Sequence, residues 1–138
     1  MDEIRYIYEK WHQYAKARDV EALIALYADH AVFESPLVPA ILDRTNGVLN
    51  GKDDIKFFLQ EGTKRRPNEL VKWFRRGDYL TNGRLLVWEY PKQIDILELM
   101  EIENGLIQQH RIYWGWKGCL LISQGLARLQ ENQKSSST

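Results

Sequence analysis

The sequence predicts an α+β domain: three N-terminal helices closing a cone-shaped, curved and mainly antiparallel sheet. Three observations carry that expectation. Apolar residues recur at helical spacing along the first part of the 138-residue chain. The part after Gly62 alternates like strands. Two Asn-Gly dipeptides, Asn82-Gly83 and Asn104-Gly105, punctuate those runs where tight hairpin turns belong. A sheet curled against helices leaves an internal pocket, and the length fits one domain, residues 1–130, followed by a low-complexity tail at 131–138.

In residues 2–17, Ile4, Ile7, Tyr8, Trp11, Tyr14 and Ala15 form one apolar stripe at i, i+3, i+4 spacing, which predicts the first helix. Asp19 is placed to cap a second, "VEALIALYADH", with Leu23, Ile24 and Tyr27 on its buried side. "AVFESP" then reads as a short strand stopped by Pro36, and the Pro- and Asn-rich residues 36–50 read as an irregular loop able to act as a lid. The third helix, "GKDDIKFFLQEG", carries Asp53 and Asp54 in its first turn and is expected to end at Gly62. Strands are expected at 70–76 and 78–81, with a bulge at Gly77 able to join them, then at 84–90, 94–103 and 106–114, with helical character around 120–129.

Charge narrows the function classes. Nineteen Lys and Arg balance 19 Asp and Glu, so no nucleic-acid-binding field is expected. Lys64-Arg65-Arg66, the one basic cluster, reads as a solvated loop. The lone Cys119 excludes an internal disulfide, fits a reducing compartment and has no basic or helix-terminal setting that would mark it as a nucleophile. A charged N-terminus and the lack of a long apolar run point to a cytoplasmic protein with no membrane partner. Five Trp, seven Tyr and four Phe exceed what a small core needs and hint at a lined cavity for a small apolar ligand. Trp73, Phe74 and Trp88 in central strands are also ordinary core residues by type. His12, His30 and His110 lack metal-ligand spacing, so no metal and no other cofactor is expected; His12 and His30 read as surface histidines.

The last hairpin holds the strongest functional signal. A two-residue type I′ turn at Asn104-Gly105 would set Leu99 opposite His110 and Glu98 opposite Arg111. Leu97, Leu99, Glu101, Gln108, His110, Ile112 and Trp114 would then share one face, while Glu98 and Arg111 would pair on the other. His110 would stand on an apolar wall with Glu101 diagonal to it, the two components of general acid/base chemistry. A core histidine satisfied by a backbone carbonyl or by Glu101 for stability alone explains the same residues.

The order of helix, helix with "ALYADHAVFESP", loop, "LNGKDDIKFFLQEG", and a meander ending in "ENGLIQQHRIYWG" resembles the nuclear transport factor 2-like superfamily, and within it the SnoaL-like branch that includes polyketide cyclases, ketosteroid isomerases and limonene-epoxide hydrolases. The resemblance covers roughly residues 4–116. It implies a cone closed by helices, a homodimer through the outer, convex sheet face, and a small apolar molecule bound inside. At the positions of the ketosteroid isomerase proton shuttle, helix tyrosine and protonated carboxyl, this chain has Ser35, Trp11 and Leu99; at the inward Asp of limonene-epoxide hydrolases it has Ile112. Neither acid/base set is present. The resemblance does imply that His110, Ile112 and Trp114 face inward.

Two functions follow. The first is a cofactor-free isomerase, cyclase or lyase acting on an apolar carbonyl compound. In it His110 is the acid/base, Glu101 or Glu34 assists, and Trp11, Tyr14, Tyr27, Trp88, Leu99, Ile112 and Trp114 shape the pocket. Whether Glu34 or Ser35 faces inward turns on a one-residue slip of the first strand. The second is a non-catalytic module that holds a hydrophobic ligand or a protein partner.

Overall fold

The computed structural model of the protein describes residues 2–42, 44–65, 79–89, 96–116 and 123. Along them run α1 (Glu3–Ala17), α2 (Val20–Ile24), β1 (Tyr27–Glu34), α3 (Leu37–Ile41), β2 (Val48–Asn50), α4 (Lys52–Arg65), β3 (Leu80–Thr81), β4 (Leu85–Glu89), β5 (Ile96–Glu103) and β6 (Leu106–Trp114). The strands form one open sheet in the order β2-β1-β6-β5-β4-β3. Neighbours are antiparallel except β1 and β6, which run parallel, so the sheet is mixed. Ile7, Tyr8 and Trp11 of α1 and Ile55 and Phe58 of α4 share a single buried core with Phe33, Leu86, Trp88, Met100 and Ile107 of the sheet.

Helix α1 begins where its side-chain cap allows. The Asp2 carboxylate accepts from the backbone N–H groups of Ile4 and Arg5, satisfying two donors that the first turn leaves unpaired. It ends at Arg18, held left-handed at φ 59° with its guanidinium 2.6 Å from the Thr63 carbonyl, which ties the end of α1 to α4. Asp19 caps α2 through Ala22 N–H, as its position suggested.

Four expectations are corrected. Helix α2 stops at Ile24 rather than continuing to His30, because the chain from Tyr27 joins the sheet: the Leu26 carbonyl accepts from Ile107 N–H at 2.9 Å. Tyr27 is buried either way, so periodicity could not separate the two readings. Residues 36–50 are not an irregular lid, since they carry α3 and β2; Pro39 falls within the first turn of α3, where a missing N–H costs nothing. Gly47 lets this segment lie against β1: a Cβ there would come 2.7 Å from the Ser35 carbonyl oxygen. Gly62 lies inside α4, which continues to Arg65, so Lys64 is helical rather than in a loop and pairs with Glu61. A Cβ on Gly62 would stand 3.7 Å from the Ile41 side chain, an ordinary packing contact, so space does not demand glycine there. The expected strands at 70–76 and 78, the bulge at Gly77, the helical segment at 120–129, Cys119 and the tail lie outside the described residues, apart from Ser123.

The fourth correction concerns register. Asn104 and Gly105 take φ 56° and 73°, both positive as a type I′ turn requires, and Glu103–Leu106 and Ile102–Ile107 pair as expected. The next pair is Glu101–Gln109, which leaves Gln108 as an extra residue. From that bulge onward every pairing moves by one: Met100 faces His110, Leu99 faces Arg111 and Glu98 faces Ile112.

Candidate functional site

The bulge decides which carboxylate meets the histidine. Along β5, Ile96, Glu98, Met100 and Ile102 are buried, so the inner face of this strand is the one that carries Glu98. Along β6, His110 is fully buried, with Ile112 and Trp114 packed against the core on the same side. His110 Nε2 lies 2.7 Å from Glu98 Oε1, and both side chains are enclosed. The Nδ1 atom lies 2.7 Å from the Tyr27 hydroxyl, and Trp11 Nε1–H donates to that hydroxyl at 3.1 Å. Three strands and one helix thus assemble a continuous line: Trp11, Tyr27, His110, Glu98.

The direction of each bond follows from the groups. Burial pushes the Tyr27 phenol far above its usual range; the Trp11 hydrogen bond opposes this, and the nearby Glu98 adds to it. Tyr27 is therefore a neutral donor to His110 Nδ1. With Glu98 as a carboxylate, the Nε2 atom of His110 carries the ring proton and donates it to Oε1. Phe33, the parallel neighbour of His110 on β1, presents its ring edge-on at 5.0 Å, and Trp11 does the same at 5.5 Å.

Sequence reasoning missed two residues of this cluster. Glu98 was paired with Arg111 on the outer face, yet Arg111 instead reaches Glu34 at 3.4 Å. His12 was read as a surface histidine and is buried against Tyr8 and Trp88, with ring centroids at 4.5 and 5.0 Å. Its Nδ1–H donates to the Tyr8 carbonyl at 2.7 Å, and burial lowers its pKa below 6.5; the Tyr8 bond and the Glu98 charge oppose the shift and His110 adds to it. A signal for Glu98 did exist, because it sits in the middle of the apolar set Ile96, Met100 and Ile102 at strand spacing.

The structure separates the remaining candidates. Glu101 points outward and pairs with Arg84, and Glu34 is exposed on β1. Neither hydrogen-bonds His110, because the bulge turns Glu101 away and the pleat points Phe33, not Glu34, inward. Ser35, rather than Glu34, is buried, and its hydroxyl accepts from Leu37 N–H at 3.1 Å. Leu99 lies on the outer face beside Arg111 and Val87, so it does not line the interior. Trp11, Tyr27 and Trp88 are enclosed on the inner side, while Tyr14, Ile112 and Trp114 are partly buried against it. His30 is exposed, and among the described residues no group of three His, Cys, Asp or Glu could hold a metal ion. No helix among them is long and apolar enough to cross a membrane.

No family model matches the sequence, and no curated protein matches it. Solved structures do match. A SnoaL-like protein of unknown function from Burkholderia thailandensis is 18% identical with a TM-score of 0.64, over 82% of this chain and 94% of that one. A steroid delta-isomerase from Pseudomonas aeruginosa is 16% identical with a TM-score of 0.60, over 98% and 96%. SalBIII, an epoxide hydrolase/cyclase-like enzyme with a role in pyran ring formation in the polyether salinomycin, is 16% identical with a TM-score of 0.56, over 83% and 92%. At such identities the likeness speaks for the fold. With helices on one side of an open, mixed six-stranded sheet, the chain has the nuclear transport factor 2-like fold, and SnoaL-like proteins are among its structural relatives.

Proposed function

We propose that the chain is a cofactor-independent acid/base enzyme, of the isomerase, cyclase or lyase kind, acting on an apolar carbonyl compound at the inner face of the sheet. The observation that carries this reading is the enclosed Glu98–His110–Tyr27 line, with two bonds of 2.7 Å in otherwise apolar and aromatic surroundings. A steroid delta-isomerase and a cyclase-like enzyme among the structures of the same fold support it.

Both nitrogens of His110 are engaged, so a substrate proton reaches it through Tyr27. A carbon acid next to a carbonyl gives its proton to the Tyr27 oxygen as the Tyr27 proton passes to His110 Nδ1. The C–H bond breaks, an enolate forms, and the imidazolium is held by the Glu98 carboxylate; Trp11 N–H steadies charge on the phenol oxygen in transit. Return of the proton to a different carbon completes an isomerisation. Tyr27 and His110 are fully enclosed, so this chemistry requires the side chains over them to part for the substrate.

That same enclosure supports a second reading, in which the line is a satisfied structural network and the fold holds a hydrophobic ligand without turning it over. Exchange in D2O separates the two. With an apolar β,γ-unsaturated cyclic ketone, the enzyme reading expects the protein to speed loss of the α-proton signal, and His110→Gln to cut that rate by about 100-fold or more. Saturable binding with no exchange selects the second reading.

The assembly belongs to the proposal as well. Leu97 and Tyr113 are cross-strand partners on the outer face and both are exposed, which suits a homodimer through that face. A sedimentation mass of one chain at micromolar concentration, unchanged by Tyr113→Glu, would remove it. The lone Cys119 supports a cytoplasmic setting.

A further inference from the structure

We infer that the indole N–H of Trp88 is the docking donor of the inner face, and that it takes an apolar molecule bearing a neutral oxygen acceptor, a carbonyl or ether. This deepens the reading above and rests on the inner face being a ligand site.

The inner face presents two enclosed tryptophans with opposite fates. Trp11 Nε1–H is spent on Tyr27. Trp88 is 3% exposed, and its Nε1 has no hydrogen-bond partner among the described residues. An indole nitrogen only donates, and a buried donor without an acceptor retains the full cost of its lost hydration. A ligand oxygen removes that cost, which an aliphatic ligand cannot do.

Position and charge narrow the ligand. Trp88 on β4 is the direct cross-strand partner of Glu98 on β5, so the unpaired donor sits beside the carboxylate that holds His110. Its ring lies 5.6 Å from Tyr8, 5.7 Å from Trp11 and 5.0 Å from His12. An anionic acceptor would face the Glu98 charge at close quarters, and His12, kept neutral by burial, offers no compensating cation. A cation cannot accept the indole proton and would leave the donor unpaired. What remains is a neutral oxygen on an apolar frame, and an oxygen docked there sits next to the proton relay.

The test uses the full-length chain with tryptophan indole nitrogens labelled, and 2-decalone against decalin as probes. The wild type is expected to bind 2-decalone about 10-fold more tightly than decalin. The Trp88 indole proton should move downfield with the ketone and not with the hydrocarbon. Trp88→Phe, which keeps the ring and removes the donor, should bind the two alike. A ketone preference that persists in Trp88→Phe, an undisturbed indole proton in the wild type, or no saturable ketone binding overturns the inference. The indole shift is read on the wild type, so a poorly folded variant does not shield the idea. A Trp88-dependent ketone preference without α-proton exchange keeps this donor and removes the enzyme, whereas exchange with an undisturbed indole does the reverse.

Discussion

The two faces of the β5–β6 ribbon carry similar residues in opposite circumstances. Outside, Arg111 meets Glu34 and Arg84 meets Glu101, with the arginine side chains 42% and 62% exposed. Inside, His110 meets Glu98 with neither in contact with solvent to any useful extent. Water screens the outer pairs and offers each member an alternative partner. The inner pair has no such alternative, so its polar atoms depend on protein partners: Tyr27 serves His110 Nδ1, and Trp11 in turn donates to Tyr27. Sequence proximity is therefore a poor guide to function here: Arg111 adjoins His110 in the chain and belongs to a different chemical environment.

The largest expected difference between the faces comes from removing the inner carboxylate. Glu98→Ala leaves the His110 Nε2 proton without an acceptor in the core and should cost about 3–5 kcal/mol in urea unfolding. A loss under 1 kcal/mol would mean that the inner pair is as dispensable as a surface one. Tyr27→Phe removes one hydroxyl that serves two partners and should cost about 1–3 kcal/mol, with folding otherwise intact by circular dichroism.

Acid should weaken the inner face next. His12 has a folded pKa below 6.5, so as pH falls through 6.5 the unfolded chain takes up a proton that the folded chain refuses. Stability should then drop on acidification by no more than about 1.4 kcal/mol per pH unit, until the folded form is protonated too. His12→Gln should flatten that slope between pH 7 and the acid transition; an unchanged slope would assign the effect elsewhere. Smallest of all, Glu34→Ala and Glu101→Ala should each shift stability by about 0–1 kcal/mol, and that shift should shrink in high salt.

Much of the fold was legible because its signals are local and redundant. Asp19 caps α2 where its chemistry suggested, and Asn104-Gly105 makes the turn its two positive φ angles demand. The nuclear transport factor 2-like resemblance then agreed with the sheet and its structural relatives. The start of β1 was hidden because Leu23, Ile24 and Tyr27 are buried whether the segment is helix or strand. The site was half legible. His110 stood out as a lone polar residue on an apolar strand face, but its partner depended on a bulge at Gln108 that no glycine or proline announces. The apolar company of Glu98, namely Ile96, Met100 and Ile102, was a better guide than the register counted from the turn. His12 escaped notice because one polar residue within an amphipathic helix has no mark of burial; Tyr8, one turn earlier, accepts from its Nδ1–H.

The central claim is that Glu98, and not Glu101, holds the ring of His110. Histidine ring nitrogen and proton resonances of the full-length chain test it directly. The expected state is a protonated Nε2 and an unprotonated Nδ1, with a strongly downfield Nε2 proton that moves in Glu98→Gln and stays in place in Glu101→Gln. A His110 resonance that responds to Glu101→Gln and ignores Glu98→Gln would contradict the account.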